Sequence, residues 1–335
     1  MNFVETFRQL LAAASPSGYE GPEAQVIRQL AQPYCDEIRT DALGNVICHK
    51  KGAGRKMMFA AHMDVIGFMV THFEENGFVG VTNVGGHTAV RLSGRRVRFP
   101  SGLRGVLFER ADAKLAEKTA AQSKMTDVYL DIGASSEEEA RQMLRVGDIA
   151  VYDYEARQIG GGCLMSPYCD NLASCAALLL AMEQVDKSDN DLYFVFTAQE
   201  EVGLHGSKTA AFGIEPDMAI AIDLTSAGDC PAAAKGEMKL GAGPTVKIKD
   251  ASVICSPAAV DHLRKAAEEG GIAYQDEVLL HGGTDTLSML VSRTGAPAGC
   301  ISIPGRSIHS TAETICIHDA EQAAALLACA AKRKI

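Results

Sequence analysis

"YFVFTAQEEVGLHGS", residues 193–207, decides how the rest of the chain reads. Tyr193 to Thr197 is aromatic and β-branched, the composition of a buried strand. Two adjacent carboxylates, Glu200 and Glu201, follow where the strand runs out, and a short helix, "GSKTAAF", comes next. A solvated turn would carry such a pair harmlessly, and a metal site would need it. The order strand, charges, helix is the unit from which an α/β sheet is built.

Working outward, the same unit recurs. "MMFAA" ends in His62-Met63-Asp64, and "MAIAI" ends in Asp223. "CISIP" runs out to Arg306 and His309, and the apolar helix "NLASCAALLLAMEQV" is preceded by Asp170. With the helices "PAAVDHLRKAAEEGG" and "HDAEQAAALLACAAKRK", this alternation predicts a mostly parallel sheet flanked by helices. In such sheets ligands bind outside the carboxyl ends of the strands. Separate segments therefore deliver His, Asp and Glu to one edge.

The amino-terminal part predicts two helices. "NFVETFRQLLAAASPSG" puts Phe3, Phe7, Leu10 and Leu11 at helical spacing, and "GPEAQVIRQLAQPY" has Pro22 near its start. "NVICHKKGAGRKMMFAAHMDVIGFMV" predicts a hairpin: a strand, a Gly-rich basic turn and a nearly continuous apolar strand. From residue 69 to 158 the texture changes to short alternating runs broken by glycines, with one helix, "SSEEEARQML", opened by a capping box from Ser136 to Glu139. These features predict an inserted β-rich domain at 69–158, with 1–68 and 159–335 forming the main domain.

The 335 residues carry 42 acidic and 32 basic side chains, a formal net charge of -10. That argues against nucleic acid or an anionic membrane as the main partner. No basic segment precedes an apolar stretch at the amino terminus, and no apolar run is long enough to span a membrane. The ten cysteines contain no CxxC pair and read as reduced thiols of a cytoplasmic protein. Cys163, Cys169 and Cys175 are spaced too widely for a zinc knuckle and read as packing residues.

Asp170, Glu200, Glu201 and Asp223, packed against His62 and His309, would repel one another without cations. Two divalent ions remove the repulsion, and oxygen and imidazole donors suit Zn²⁺, Co²⁺ or Mn²⁺. Singly, each residue has an ordinary reading: Asp170 as a helix cap, the glutamate pair as a solvated turn, each histidine as a polar strand end. Their coincidence on one edge favours a site.

"AAHMD", "CDN", "TAQEEVGLHGS", "AIDLT", "GGTD" and "PGRSIHS" occur in the order found in the tetrahedral (TET) aminopeptidases, metallopeptidase family forty-two, which the chain resembles over nearly its whole length. The resemblance implies a co-catalytic pair of metals, Zn²⁺ or Co²⁺ with Mn²⁺ as an alternative. Asp170 would bridge them, His62 and Asp223 would complete one, and Glu201 and His309 the other. Glu200 would be the general acid/base of a shared water, and Asp64 would orient the His62 imidazole. A cis peptide after Asp170 is also implied. Gly282, Gly283, Thr284 and Asp285 would lie beside the substrate, with Arg306 the candidate to grip a carboxylate. The insertion would be a PDZ-like dimerisation domain, and dimers would build a tetrahedral dodecamer acting on peptides with free amino termini.

The chain departs from the family pattern at Leu172 and Ser174, beside the bridging Asp, and at Ser307, before the last His; His281 has no assigned role. These departures leave open a dinuclear-metal deacylase, another hydrolase on the same scaffold, or a catalytically weakened assembly protein. A glycosidase needs a carboxyl pair without metals.

Overall fold

The computed structural model describes residues 1–231 and 238–335, and in them the chain builds an 11-stranded mixed sheet and a closed six-stranded barrel. Four parallel strands make the centre of the sheet, in the order Asp191–Thr197, Lys56–His62, Met218–Ser226 and Ala298–Arg306. Both flanks are antiparallel. Val46–Lys50 and Glu37–Thr40 lie on one side, and Glu313–Cys316, Cys163–Ser166 and Arg157–Ile159 on the other. Thr245–Lys249 also pairs antiparallel with Ala298–Arg306 and carries Gln275–Val278 at its outer edge. The expectation of a mostly parallel sheet therefore holds for the centre and for the outer pair Thr245–Lys249 and Gln275–Val278. The 41–45 connection is too short for the crossover that parallel neighbours need, so Glu37–Thr40 and Val46–Lys50 run antiparallel.

Periodicity of two divides the central strands between two cores. Met57, Phe59, Ala61, Phe194, Phe196, Ile220, Ile222, Ile301 and Ile303 face the larger core. Five helices cover it: Phe3–Ala13, Gly21–Ala31, Cys169–Gln184, Pro257–Gly270 and Ile317–Lys332. The opposite face, with Met58, Ala60, Val195, Ala219, Ala221 and Cys300, takes only His205–Ile214 and Thr286–Leu290. Being buried on both faces is why these strands read as continuous apolar runs. Cys169–Gln184 is buried almost all round, which is why it shows no polar face.

The predicted hairpin does not form. Asp191–Thr197 lies between Val46–Lys50 and Lys56–His62 and pairs with both. The glycines of the connecting turn serve a close crossing instead. A Cβ on Gly52 would lie 2.0 Å from the Asn190 carbonyl oxygen, and one on Gly54 2.4 Å from that of Asp189. The apolar run after His62 is not one strand either, since Met63–Ile66 leaves the sheet and the barrel begins at Gly67.

The barrel is closed by Gly67–Phe73, Val79–Val84, Val128–Asp131, Arg104–Glu109, Arg95–Arg98 and Ile149–Tyr152, in that order. Phe68, Val70, Val79, Val97, Leu107 and Leu130 fill it. Its one helix, Glu137–Met143, is capped by Ser136, whose Oγ accepts from the Glu139 amide at 3.2 Å. The Glu139 carboxylate turns to Ser135 rather than closing the expected box. All ten cysteines are free thiols. Among the described residues, no helix is long and apolar enough to cross a membrane.

Candidate metal centre

Register brings the charged residues together. His62 is the last residue of its strand and pairs with Thr197, the last residue of the neighbouring one, so Glu200 and Glu201 emerge beside it. Ala221 pairs with Ala60, which sets Asp223 level with His62 on the other side. Asp170 arrives at the mouth of the buried helix but does not act as its cap. Its backbone is non-helical (φ -80°, ψ 103°), and the Asp170–Asn171 peptide is cis. His309 sits in the loop after the last central strand.

Three donor sets result, one of His62, Glu200 and Glu201 and two that share Asp170. Of these two, His62, Asp170 and Asp223 form one, and Asp170, Glu201 and His309 form the other, with the ligand atoms of each within 4.8 Å of one another. The two Asp170 oxygens divide between them. Oδ1 lies 3.3 Å from His62 Nε2, and Oδ2 lies 3.5 Å from His309 Nε2. Asp223 Oδ1 is 3.7 Å from His62 Nε2, and Glu201 Oε1 is 3.2 Å from His309 Nε2. Glu200 belongs to neither set that contains Asp170, and its Oε2 lies 3.9 Å from His62 Nε2.

The chemistry of these groups fits divalent cations. Asp170 Oδ1 is buried and makes no hydrogen bond, a costly condition for a carboxylate oxygen without a cation. His62 Nδ1 donates to the Asp64 carbonyl at 3.0 Å, which leaves Nε2 as the lone-pair nitrogen aimed at the carboxylates. Without cations the imidazoles are forced to supply the missing positive charge. Burial alone would lower the His309 pKa, but Asp170 and Glu201 raise it to about 11. His62 is raised likewise: burial opposes the shift, and Glu200, Asp170 and Asp223 overcome it. Burial, then the charges of Asp223, Asp285 and Glu201, push Glu200 well above the usual carboxylate range.

Further carboxylates hold the backbone of the site. Asp64 is fully buried. Its Oδ1 accepts from the Glu200 amide at 3.0 Å, and its Oδ2 accepts from the Glu201 amide at 3.2 Å and from Ser17 Oγ at 2.6 Å. The carboxylate is 3.5 Å from His62 Nδ1. Asp64 thus orients the imidazole mainly through its carbonyl, while its carboxylate grips the glutamate pair. Glu20 Oε1 accepts from the Gln199 amide at 3.0 Å. Gln199, Ser307 and His309 all have left-handed backbones (φ 57°, 58° and 60°), a strain of about 1–3 kcal/mol each that persists where the surroundings fix it.

A cavity of about 310 Å³ opens over the centre. His62, Asp170, Glu200, Glu201, Asp223 and His309 line one side, and Leu224, Thr225, Leu279, Gly282, Gly283, Thr284 and Ile308 another. Gly282, Gly283 and Thr284 therefore stand where the sequence reading expects substrate. Asp285 is directed elsewhere, taking hydrogen bonds from Thr197 Oγ1 at 2.6 Å and Ser207 Oγ at 2.5 Å beneath the wall. Arg306 is absent from the cavity lining and donates to Asp229, with Nε 2.8 Å from Oδ1. His281 is exposed on the rim. Leu172 is fully buried in the larger core and Ser174 is fully buried, while Ser307 lies in the loop before His309.

Some contributors escaped the sequence reading. Lys247 lines the cavity, 1% exposed, 3.2 Å from Glu277 Oε1 and 3.4 Å from Asp250 Oδ2. The sequence reading did not single it out. The barrel also supplies a wall. A Cβ on Gly86 would lie 2.7 Å from His309 Nδ1, and one on Gly85 (φ 77°) would lie 3.2 Å from Glu201 Oε2. In sequence, these glycines signalled only a β break.

Comparison with known proteins assigns the family. Residues 44–326 match the model of the M42 glutamyl aminopeptidase family. A putative aminopeptidase of Acetivibrio thermocellus is 43% identical over 311 residues, 93% of each chain. An aminopeptidase of Desulfurococcus kamchatkensis, APDkam598, superposes with a TM-score of 0.93 at 37% identity, over 98% of this chain and 94% of that one. The Pyrococcus horikoshii TET1 peptidase, which assembles into a tetrahedron or a large octahedral shell, gives 0.87 at 29% identity, over 98% and 99%. The chain belongs to the M42 peptidase family and is a hydrolase of the aminopeptidase class.

Proposed function

We propose that the protein removes amino-terminal residues from peptides at a centre of two divalent cations, Zn²⁺, Co²⁺ or Mn²⁺. The observation that carries this reading is the pair of donor sets sharing Asp170, which together use His62 and Glu201 and so leave Glu200, whose own set needs those same two residues, free to act as a base. A purely structural metal site has no use for a spare carboxylate at its edge.

His62, Asp170 and Asp223 would hold one cation, and Asp170, Glu201 and His309 the other. When bound, the two cations would polarise the scissile carbonyl and acidify a water. Glu200 takes a proton from the attacking water and passes it to the leaving amine as the C–N bond breaks. Asp64 keeps Glu200 at its post through the backbone. The substrate's free α-amino group would be anchored at the centre by one cation and a neighbouring carboxylate of the lining. A blocked terminus lacks that anchor, which makes the enzyme an exopeptidase. Gly282, Gly283 and Thr284 form the wall along which the substrate backbone lies.

The deacylase alternative needs a grip for a carboxylate. Arg306, its candidate in the sequence, is engaged by Asp229. Residues 69–158, which hold all of the barrel but the start of its first strand, serve as the dimerisation domain, and the likeness to the P. horikoshii peptidase supports assembly of dimers into a dodecamer. The cytoplasm suits free thiols throughout.

The test is a panel of free and N-acetylated peptides, assayed before and after chelation and after Zn²⁺ or Co²⁺ is restored. Cleavage restricted to free termini and rescued by metal supports the aminopeptidase. Cleavage of acetylated substrates alone would transfer the site to a deacylase.

A further inference from the structure

Glu313 opens the strand Glu313–Cys316, three residues past the PGRSIHS motif, and is 1% exposed. Its two oxygens serve two different segments. Oε1 accepts from the His309 amide at 2.7 Å and, at 3.4 Å, from the Ser310 amide beside it, and Oε2 accepts from the Asp170 amide at 2.9 Å. His309 and Asp170 both stand on unusual backbone, His309 at φ 60° and Asp170 non-helical at a helix mouth. No regular secondary structure holds either residue's amide. The strand that carries Glu313 pairs in register with Cys163–Ser166, with Ser166 opposite Glu313, so the carboxylate is fixed by the same ladder that leads the chain into Asp170.

We infer that Glu313 is a positioning residue: one buried carboxylate, gripping backbone amides of both segments, sets the separation of Asp170 and His309 and so builds the half of the centre that also contains Glu201. The inference rests on the reading of Asp170, Glu201 and His309 as metal ligands. Charge-assisted bonds from a carboxylate to backbone N–H groups are short and strong, so the grip is firm. Partners of ligands in this position typically change metal affinity about 10–100-fold when altered. Gln at 313 presents one amide nitrogen in place of an oxygen, and that nitrogen faces an N–H instead of accepting from it. Asp keeps the charge but is one methylene shorter and cannot span both segments.

The experiment is a Co²⁺ titration of the metal-stripped full chain, followed by visible absorption and by calorimetry, for wild type, Glu313→Gln and Glu313→Asp. Wild type is expected to take two ions in two resolved steps. Both variants are expected to keep one step near its wild-type affinity and to weaken the other about 10–100-fold, with an altered Co²⁺ band for that step. Thermal melting of the stripped proteins reads folding separately, and if Glu313→Gln fails to fold, Glu313→Asp carries the test. Folded variants with both steps and both bands unchanged would overturn the role of Glu313. A wild type that binds no Co²⁺ would overturn the metal reading itself.

Discussion

Asp64 and Glu200 are joined through the backbone: the Glu200 amide donates to Asp64 Oδ1 at 3.0 Å, deep under the candidate centre. A residue two positions beyond the candidate metal-ligating histidine thus holds the candidate general base. Asp64→Ala leaves the amides of Glu200 and Glu201 and the Ser17 hydroxyl without their acceptor. Each buried group left unpaired costs about 1–3 kcal/mol. The variant is expected to melt well below wild type and, where folded, to lose turnover more than metal. Melting curves and metal content on the same preparation check this.

The barrel wall makes a second prediction. A methyl group at Gly86 would press on the His309 ring, 2.7 Å from Nδ1 and 2.8 Å from Cε1. Gly86→Ala is expected to leave the fold intact and to weaken metal binding at the His309 half by about tenfold or more, as disturbed support of a ligand does. Co²⁺ titration reads it. Wild-type affinity would show that the wall yields freely.

Arg306 is tied to Asp229 and only half-buried. Arg306→Ala is expected to change cleavage of free-terminus peptides by no more than about threefold, because such an exposed pair contributes about 0–1 kcal/mol. A steady-state assay decides. A large loss confined to substrates bearing a carboxylate would return Arg306 to the binding site.

A fourth prediction concerns acid stability. His262 lies between two helices, with Nε2 3.0 Å from the Ala330 carbonyl. Burial, only partly opposed by that bond, lowers its pKa below the ordinary 6.5. The unfolded chain therefore binds the proton more readily than the folded one. The stability held by neutral His262 is present above 6.5 and is lost as pH falls below it. His262→Gln should flatten this part of the pH dependence relative to wild type, as read from denaturant midpoints at a series of pH values.

Much of the centre was legible because strand composition and strand-end charge are local properties. "MMFAAHMD" and "YFVFTAQEE" each announce a buried strand and what lies past its end, and parallel pairing then places His62 beside Thr197. What was hidden depends on pairing between distant segments. Nothing near Val46 or Lys56 tells that Asp191–Thr197 will enter between their strands, so Gly52 and Gly54 looked like a hairpin turn. Arg306 looked free because its partner, Asp229, is seventy-seven positions away. Glu313 and Gly86 looked ordinary because their use is to touch His309, which only the folded chain reveals.

Glu200 and Glu201, adjacent in sequence, would do different work. The most direct measurement is metal content and turnover of Glu200→Gln and Glu201→Gln, side by side with wild type. Glu200→Gln should keep two ions per chain and lose kcat by about 10²–10⁴-fold, the worth of a general acid/base. Glu201→Gln should lose one ion. A Glu200→Gln protein that sheds metal as Glu201→Gln does, or that turns over peptides at the wild-type rate, would contradict the account.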